Sequence, residues 1–363
     1  MKIVKTPNYL FDAVVLLNRA VSGEDAEASG NRLSTSYGRE TGESFKRECR
    51  PLVEIQNKVM EKLGDRENEV KLFFERFNVF DVYHPIGCSI ALLIVGSDVL
   101  DCKATISEAK KGLFGLTAEQ RIRRILRTII MFGESYEKDK KLIDSAGTED
   151  YMAFVGRLDI PSEQKWKMME LLNNFESYAE KVVSIIEIAE KTIEANIGIA
   201  EKLLNDCLSE VVGENAEPFR FASANDGEEI CQPSLFAFEY EMALTKKNED
   251  GSEVIVRYIG VLNKIMKRIS TRSISLDEII SKSKVIADKS RLEILGRLKK
   301  ANAYGQELAD EFGLFPTTVY HHMARLIGTG LVDCTMEGTK SMYSLNREGI
   351  KAFLGDLQSY LLD

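Results

Sequence analysis

Four side chains able to read or hold another molecule cluster in one short stretch: Thr317, Thr318, Tyr320 and His321, with Arg325 a turn further on. Hydroxyls hydrogen-bond base edges or phosphates, and a threonine methyl can touch the methyl of thymine. Bond-making chemistry has less to work with. No GxGxxG, P-loop, GxSxG, HExxH or paired-carboxylate constellation occurs in residues 1–275, and three histidines in the whole chain leave little for general acid–base work. His321 and His322 are adjacent, so on a helix they point about 100° apart and cannot easily chelate one ion. His84, lying before Pro85, reads as structural, and Cys334 as a core residue of a strand.

These side chains need a scaffold, and residues 276–346 supply the pattern for one. Asp288 stands where it would cap a helix carrying Leu292, Leu295 and Leu298. Gln306 to Phe312 reads as a short amphipathic helix ended by Gly313. Pro316 sits where a helix accepts proline, in its first turn. Val319, Met323, Leu326 and Ile327 follow at i, i+4, i+7 and i+8, one buried stripe opposite the polar residues. After Gly330 the period changes to two: Leu331, Asp333 and Thr335 alternate with Val332, Cys334 and Met336, then Glu337-Gly338-Thr339-Lys340 turns the chain into Ser341–Leu345. Two short helices across a glycine turn and then a hairpin is the winged helix-turn-helix plan.

The segments SRLEILGRL, ELADEFGL, TTVYHHMARL, GLVD and the EG turn before YSLN resemble the ArsR-type family of winged-helix repressors, over about 80 of the 363 residues. The resemblance implies a dimer whose second motif helix enters the major groove and whose wing touches the backbone. It implies DNA-facing roles for Thr317, Thr318, Tyr320 and His321, with Arg325 a turn later and Thr339 and Lys340 on a weakly basic wing. Phe315, Pro316 and Tyr320 stand where the family has polar residues, serine in the last case, which implies an altered base preference. Metal-sensing members place Cys-x-Cys in the helix before the recognition helix; Ala303-Tyr304-Gly305-Gln306 offers no thiol, so no metal and no cofactor is expected.

Charge complicates DNA binding. The chain carries −9 overall, and residues 276–363 hold 11 Lys and Arg against 12 Asp and Glu, a net of −1. Phosphate contacts normally supply much of the affinity, so positive charge must be local. The stretch before the motif, with Lys264, Lys267, Arg268 and Arg272, is a candidate; a solvated linker is the alternative.

The remaining 260 residues read as mainly helical. At 363 residues there is room for two or three domains, and 44% hydrophobic with 29% charged residues is ordinary for a globular protein. Tyr9–Val21 reads as a core helix, Ser22–Glu43 as a mobile loop, and Phe45–Phe80 as a helix broken near Gly64-Asp65. Ile86–Leu100 reads as an apolar helix whose ten-residue run is too short to span a bilayer. Thr117 and Gln120 have capping-box spacing and open a helix with Arg121, Arg123, Arg124 and Arg127, either a salt-bridged face or an anion site. From Val182 to Val211 apolar residues repeat at three and four, one seam on a helix spanning roughly 50 Å from Ala179 to Val212. Pro218–Pro233 reads as a loop. Ser234–Thr245 and Glu253–Val261, about a turn at Asn248–Gly251, read as a hairpin whose aromatic face carries Phe236, Phe238 and Tyr240.

The expectation is therefore a mostly α protein: a helical N-terminal domain with an added β-hairpin, plus a C-terminal winged helix-turn-helix (α+β) domain. Its parts are 1–261, the effector or dimerisation domain with hairpin 234–261; a basic linker 262–275; and 276–363, the DNA-binding domain. Ile350, Phe353, Leu354, Leu357 and Leu361, with Leu276, Ile279, Ile280 and Ile286, are the expected dimer contact. The expected partners are double-stranded DNA, a second copy of the chain and a non-metal effector, small molecule or protein. Six scattered cysteines and no N-terminal apolar leader suit a cytoplasmic protein without a membrane segment. The rival readings are an enzyme with a winged-helix appendage and a protein-interaction module.

Overall fold

The computed structural model describes residues 2–37, 39–77, 87–96, 99, 104–131, 143, 146–158, 160–212, 228–247, 253–272, 276–337 and 340–362. His84, Cys102 and the Asn248–Gly251 turn lie outside them. The described residues gather into two units, one of residues 2–32, 43–212 and 228–265, the other of 33–42 and 266–362.

In the first unit, β1 (Lys2–Ile3) is followed by α1 (Tyr9–Ser22), α2 (Ala26–Tyr37, as far as residue 32), α3 (Arg39–Leu63, from residue 43), α4 (Glu67–Phe74), α5 (Ile90–Val95), α6 (Ile106–Lys111), α7 (Ala118–Met131), α8 (Thr148–Arg157), α9 (Ser162–Ala195) and α10 (Glu201–Val212). Then come β2 (Glu228–Ser234), β3 (Glu241–Lys247) and β4 (Glu253–Gly260). Helix α9 is the spine, packing against α1 and α4 through α8, with Leu171, Phe175, Ala179, Val182 and Ile186 fully buried. Helix α1 is buried nearly all round, as an apolar run such as Leu10–Leu17 requires. Its cap, Asn8, accepts from Phe11 N at 3.0 Å and donates to the Tyr258 hydroxyl at 3.0 Å. Tyr258 in turn stacks on Phe11, ring centroids 4.2 Å apart.

Several expectations need correction. Ser22–Glu43 is not a loop: α2 fills it, begun where Asp25 accepts from Ala28 N at 2.9 Å and held by buried Ser29, which accepts from Arg19 Nη2 at 3.1 Å. The long helix is not continuous. Asn196 ends α9, and a short 3-10 turn, Ile197–Ala200, precedes α10; asparagine and Gly198 are poor helix formers. The described part of the apolar helix at 86–100 is shorter, Ile90–Val95, capped by Ser89 accepting from Leu92 N at 3.3 Å.

The hairpin belongs to a larger sheet. Strand order is β1-β2-β4-β3, with β1, β2 and β4 parallel and only β3 antiparallel to β4. Residues 228–233, the end of the expected loop, form β2 together with Ser234. Pro233 is tolerated there because β1 pairs only with Ile230 and Cys231, leaving β2 an edge at the proline. Phe236 and Phe238 precede β3 in a buried turn. Asp12 creates that turn by accepting from Ser234 Oγ at 2.6 Å, Leu235 N at 3.0 Å and Phe236 N at 3.1 Å. A carboxylate thus serves amides that would otherwise need a partner strand.

The second unit holds α11 (Asn263–Arg272, its last residues), α12 (Leu276–Ile286), α13 (Lys289–Leu298), β5 (Ala303–Tyr304), α14 (Gly305–Phe312), α15 (Pro316–Gly328), β6 (Val332–Glu337), β7 (Lys340–Leu345) and α16 (Arg347–Leu362). The basic stretch read as a linker is thus largely helical. A three-stranded sheet of order β5-β7-β6 pairs Val332 with Leu345 through Glu337 with Lys340. Ile294, Leu295, Leu298, Leu308, Val319, Met323, Leu326, Leu331 and Phe353 form one core. Leu292 is exposed, so Ile294 takes the place expected for it on the buried stripe.

Candidate nucleic-acid interface

The turn between α14 and α15 is rigid for stated reasons. Gly313 ends α14 at φ 62°, a left-handed cap whose N–H returns to Ala309 O. Leu314 N also donates to Ala309 O, at 2.9 Å. Phe315 then holds an extended φ of −68° and ψ of 143° before Pro316, as proline demands of its predecessor. Tyr304 N donates to Glu307 Oε2 at 2.9 Å, which starts α14.

Helix α15 buries Val319, Met323 and Leu326 and turns its other side outward. His321 and Arg325 are exposed, four residues apart and therefore on one line of the helix, and Thr318 and Tyr320 are half-buried beside them. The rings of Tyr320 and His321 meet edge to face, centroids 5.5 Å apart. Thr317 lies on the first turn, i−4 from His321. Strand β7 opens at Lys340; Thr339 lies outside the described residues.

His322 lies about 100° round the helix from His321. Its Nδ1 lies 4.0 Å from Asp288 Oδ1, on the residue that caps α13 by accepting from Arg291 N at 3.0 Å. Burial pushes His322 below the ordinary histidine value, with Asp288 opposing that push. Among the described residues no cluster of three His, Cys, Asp or Glu side chains could hold a metal ion.

The wing is tied to the helices by Asn346. It accepts from Gly349 N at 2.7 Å, capping α16, and donates to Asp333 Oδ1 on β6 at 3.1 Å. Gly349 sits so close to Gly330 that an added Cβ would fall 2.1 Å from the Gly330 carbonyl oxygen. Sequence reasoning missed Asn346 and the Asp288–His322 contact; a lone Asn before Arg-Glu-Gly was the only local signal for the first. The expected stripe on α16 splits: Phe353 enters the core, while Leu354 and Leu361 are 55% and 66% exposed, and Leu276 and Ile280 of neighbouring α12 are exposed too.

Two of the four arginines of α7, Arg121 and Arg124, are engaged by protein. Arg121 pairs with Glu176 at 2.6 Å, and Arg124 donates to Ile94 O at 2.6 Å and to Val95 O, the last carbonyls of α5. No helix among the described residues is long and apolar enough to cross a membrane.

A helix-turn-helix with a two-stranded wing and a polar outer face on its second helix defines a winged-helix DNA-binding protein. The family profile described as "Bacterial regulatory protein, arsR family" matches residues 288–333. The arsenical resistance operon repressor of Staphylococcus xylosus is 38% identical over 74 residues, 20% of this chain and 71% of the repressor. Its Staphylococcus aureus counterpart is 35% identical over 72 residues, 20% and 69% of the two chains. The HTH-type transcriptional regulator CmtR of Mycobacterium tuberculosis is 34% identical over 79 residues, 22% and 67%. The chain belongs to the ArsR family of DNA-binding regulators, through a winged helix that occupies its C-terminal part.

Proposed function

We propose that the protein is a homodimeric transcriptional repressor that reads a palindromic operator with α15 and the wing at 331–346. The observation that carries this is the two-sided character of α15: Val319, Met323 and Leu326 buried, His321 and Arg325 exposed. Thr317, Thr318, Tyr320 and His321 read base edges, Arg325 reaches a phosphate, and Thr339 and Lys340 hold the backbone at the wing. Repression follows the named role of the staphylococcal relatives. The role is regulatory, not catalytic.

The exposed apolar residues Leu276, Ile280, Leu354 and Leu361 on α12 and α16 support a two-fold contact, since a monomer leaves them in water. The first unit is the effector domain. A non-metal effector is favoured because β5 and α14 carry neither Cys nor His. Sedimentation of Leu354→Glu/Leu361→Glu tests the dimer: the wild type is expected as a dimer protecting a palindrome in footprinting, the variant as a monomer with lost protection. A wild-type monomer at micromolar concentration overturns this reading. DNA affinity that responds to arsenite or cadmium overturns the non-metal effector.

A further inference from the structure

Phe315 is the most exposed large apolar side chain among the described residues, at 78%, and it sits at the leading tip of α15. Nothing about its backbone is loose. The left-handed turn at Gly313, the Leu314 N bond to Ala309 O and Pro316 hold the residue on both sides. Its carbonyl accepts from Thr318 N at 2.9 Å and Val319 N at 3.1 Å, opening the helix. The side chain does not serve as the usual cap, since it has no oxygen to accept a helix N–H. It belongs neither to the core of its unit nor to α12 and α16, which carry the other apolar patch.

A rigidly presented ring at the N-terminus of a recognition helix lies where base edges are touched first. The major groove offers an apolar ring one matching feature, the C5-methyl of thymine; every other base edge there presents hydrogen-bonding groups. We propose that Phe315 selects a thymine in each operator half-site by packing on that methyl. The proposal rests on the reading of α15 as the groove-entering helix, and it names what the tip of that helix recognises.

The test uses full-length protein and a duplex that it enriches from a randomised library. Each thymine is replaced in turn by deoxyuridine, which removes the methyl and leaves pairing and charge unchanged. At one thymine per half-site the wild type is expected to lose roughly three- to ten-fold in affinity, the scale of one buried methyl. Phe315→Ala is expected to bind the parent duplex more weakly by a similar factor and to be indifferent to that deoxyuridine, while Phe315→Leu keeps part of the effect. Thermal melting like that of the wild type shows that the variants fold. Sequence-specific binding with no deoxyuridine penalty at any position, or a penalty unchanged in Phe315→Ala, overturns the thymine contact and leaves DNA reading intact. Failure to enrich any sequence overturns both.

Discussion

His322 Nδ1 lies 4.0 Å from Asp288 Oδ1, so the cap of α13 and the second turn of α15 meet at one point. Asp288 accepts from Arg291 N and so fixes where α13 begins. The contact therefore couples the start of one helix to the placement of α15, and histidine chemistry makes it sensitive to acid.

Burial keeps His322 below the usual histidine value of 6.5. Unfolded chains take up that proton near 6.5 while the folded protein resists it, so stability falls as the pH drops through 6.5 and below. Hydrogen exchange of residues 316–328 is expected to quicken between pH 7.5 and 5.5, after correction for intrinsic rates, and His322→Gln is expected to lose most of that change. Equal pH dependence in the two proteins counts against the coupling.

Asp12 predicts the opposite slope for the first unit. Full burial raises its carboxyl from 3.8 to about 6, against three hydrogen bonds that favour the ionised form. Between about 4 and about 6 the folded state holds a proton the unfolded chain has released. Its contribution to stability therefore falls as pH rises through that window, by ~3 kcal/mol in all. Asp12→Asn is expected to lack this slope in calorimetry. It should also be less stable by about 1–3 kcal/mol at pH 5, because its amide N–H would face a backbone donor, Leu235 N or Phe236 N. Parallel pH profiles for variant and wild type contradict the assignment.

Two glycines of α16 should respond with opposite signs. A Cβ at Gly349 would lie 2.1 Å from Gly330 O, whereas one at Gly355 meets nothing within 4 Å. Gly349→Ala is expected to destabilise by about 2 kcal/mol or more, since a backbone oxygen must move. Gly355→Ala should stabilise by roughly 0.5–1 kcal/mol through helix propensity. Denaturant midpoints of the full-length variants decide it; a stabilising Gly349→Ala shows that the wing–helix junction is looser than described.

The winged helix was legible because each of its boundaries has a local cause. Gly313 supplies the left-handed cap, Pro316 opens α15, and the change from period 3.6 to period two after Gly330 marks the wing. The four-stranded sheet was not. Strand β2 contains Gln232 and Pro233 and has no alternation to announce it; it exists because β4, about 26 residues on, pairs with it in parallel. The turn at Phe236 was equally hidden, since its amides are satisfied by Asp12, more than two hundred residues away. Within α15 the outward residues were readable as the complement of the Val319, Met323 and Leu326 stripe, whereas the inward contact of His322 depends on where α13 packs.

DNA affinity over a salt series, on the fragment immediately upstream of the protein's own gene, decides whether α15 reads DNA. The wild type is expected to give a sequence-specific complex whose log affinity falls linearly with log salt. Tyr320→Ala and His321→Ala should each weaken it roughly ten-fold or more, and Arg325→Ala should lower the slope by about one phosphate contact. Variants that bind as tightly as the wild type, with the same slope, would show that α15 does not read DNA.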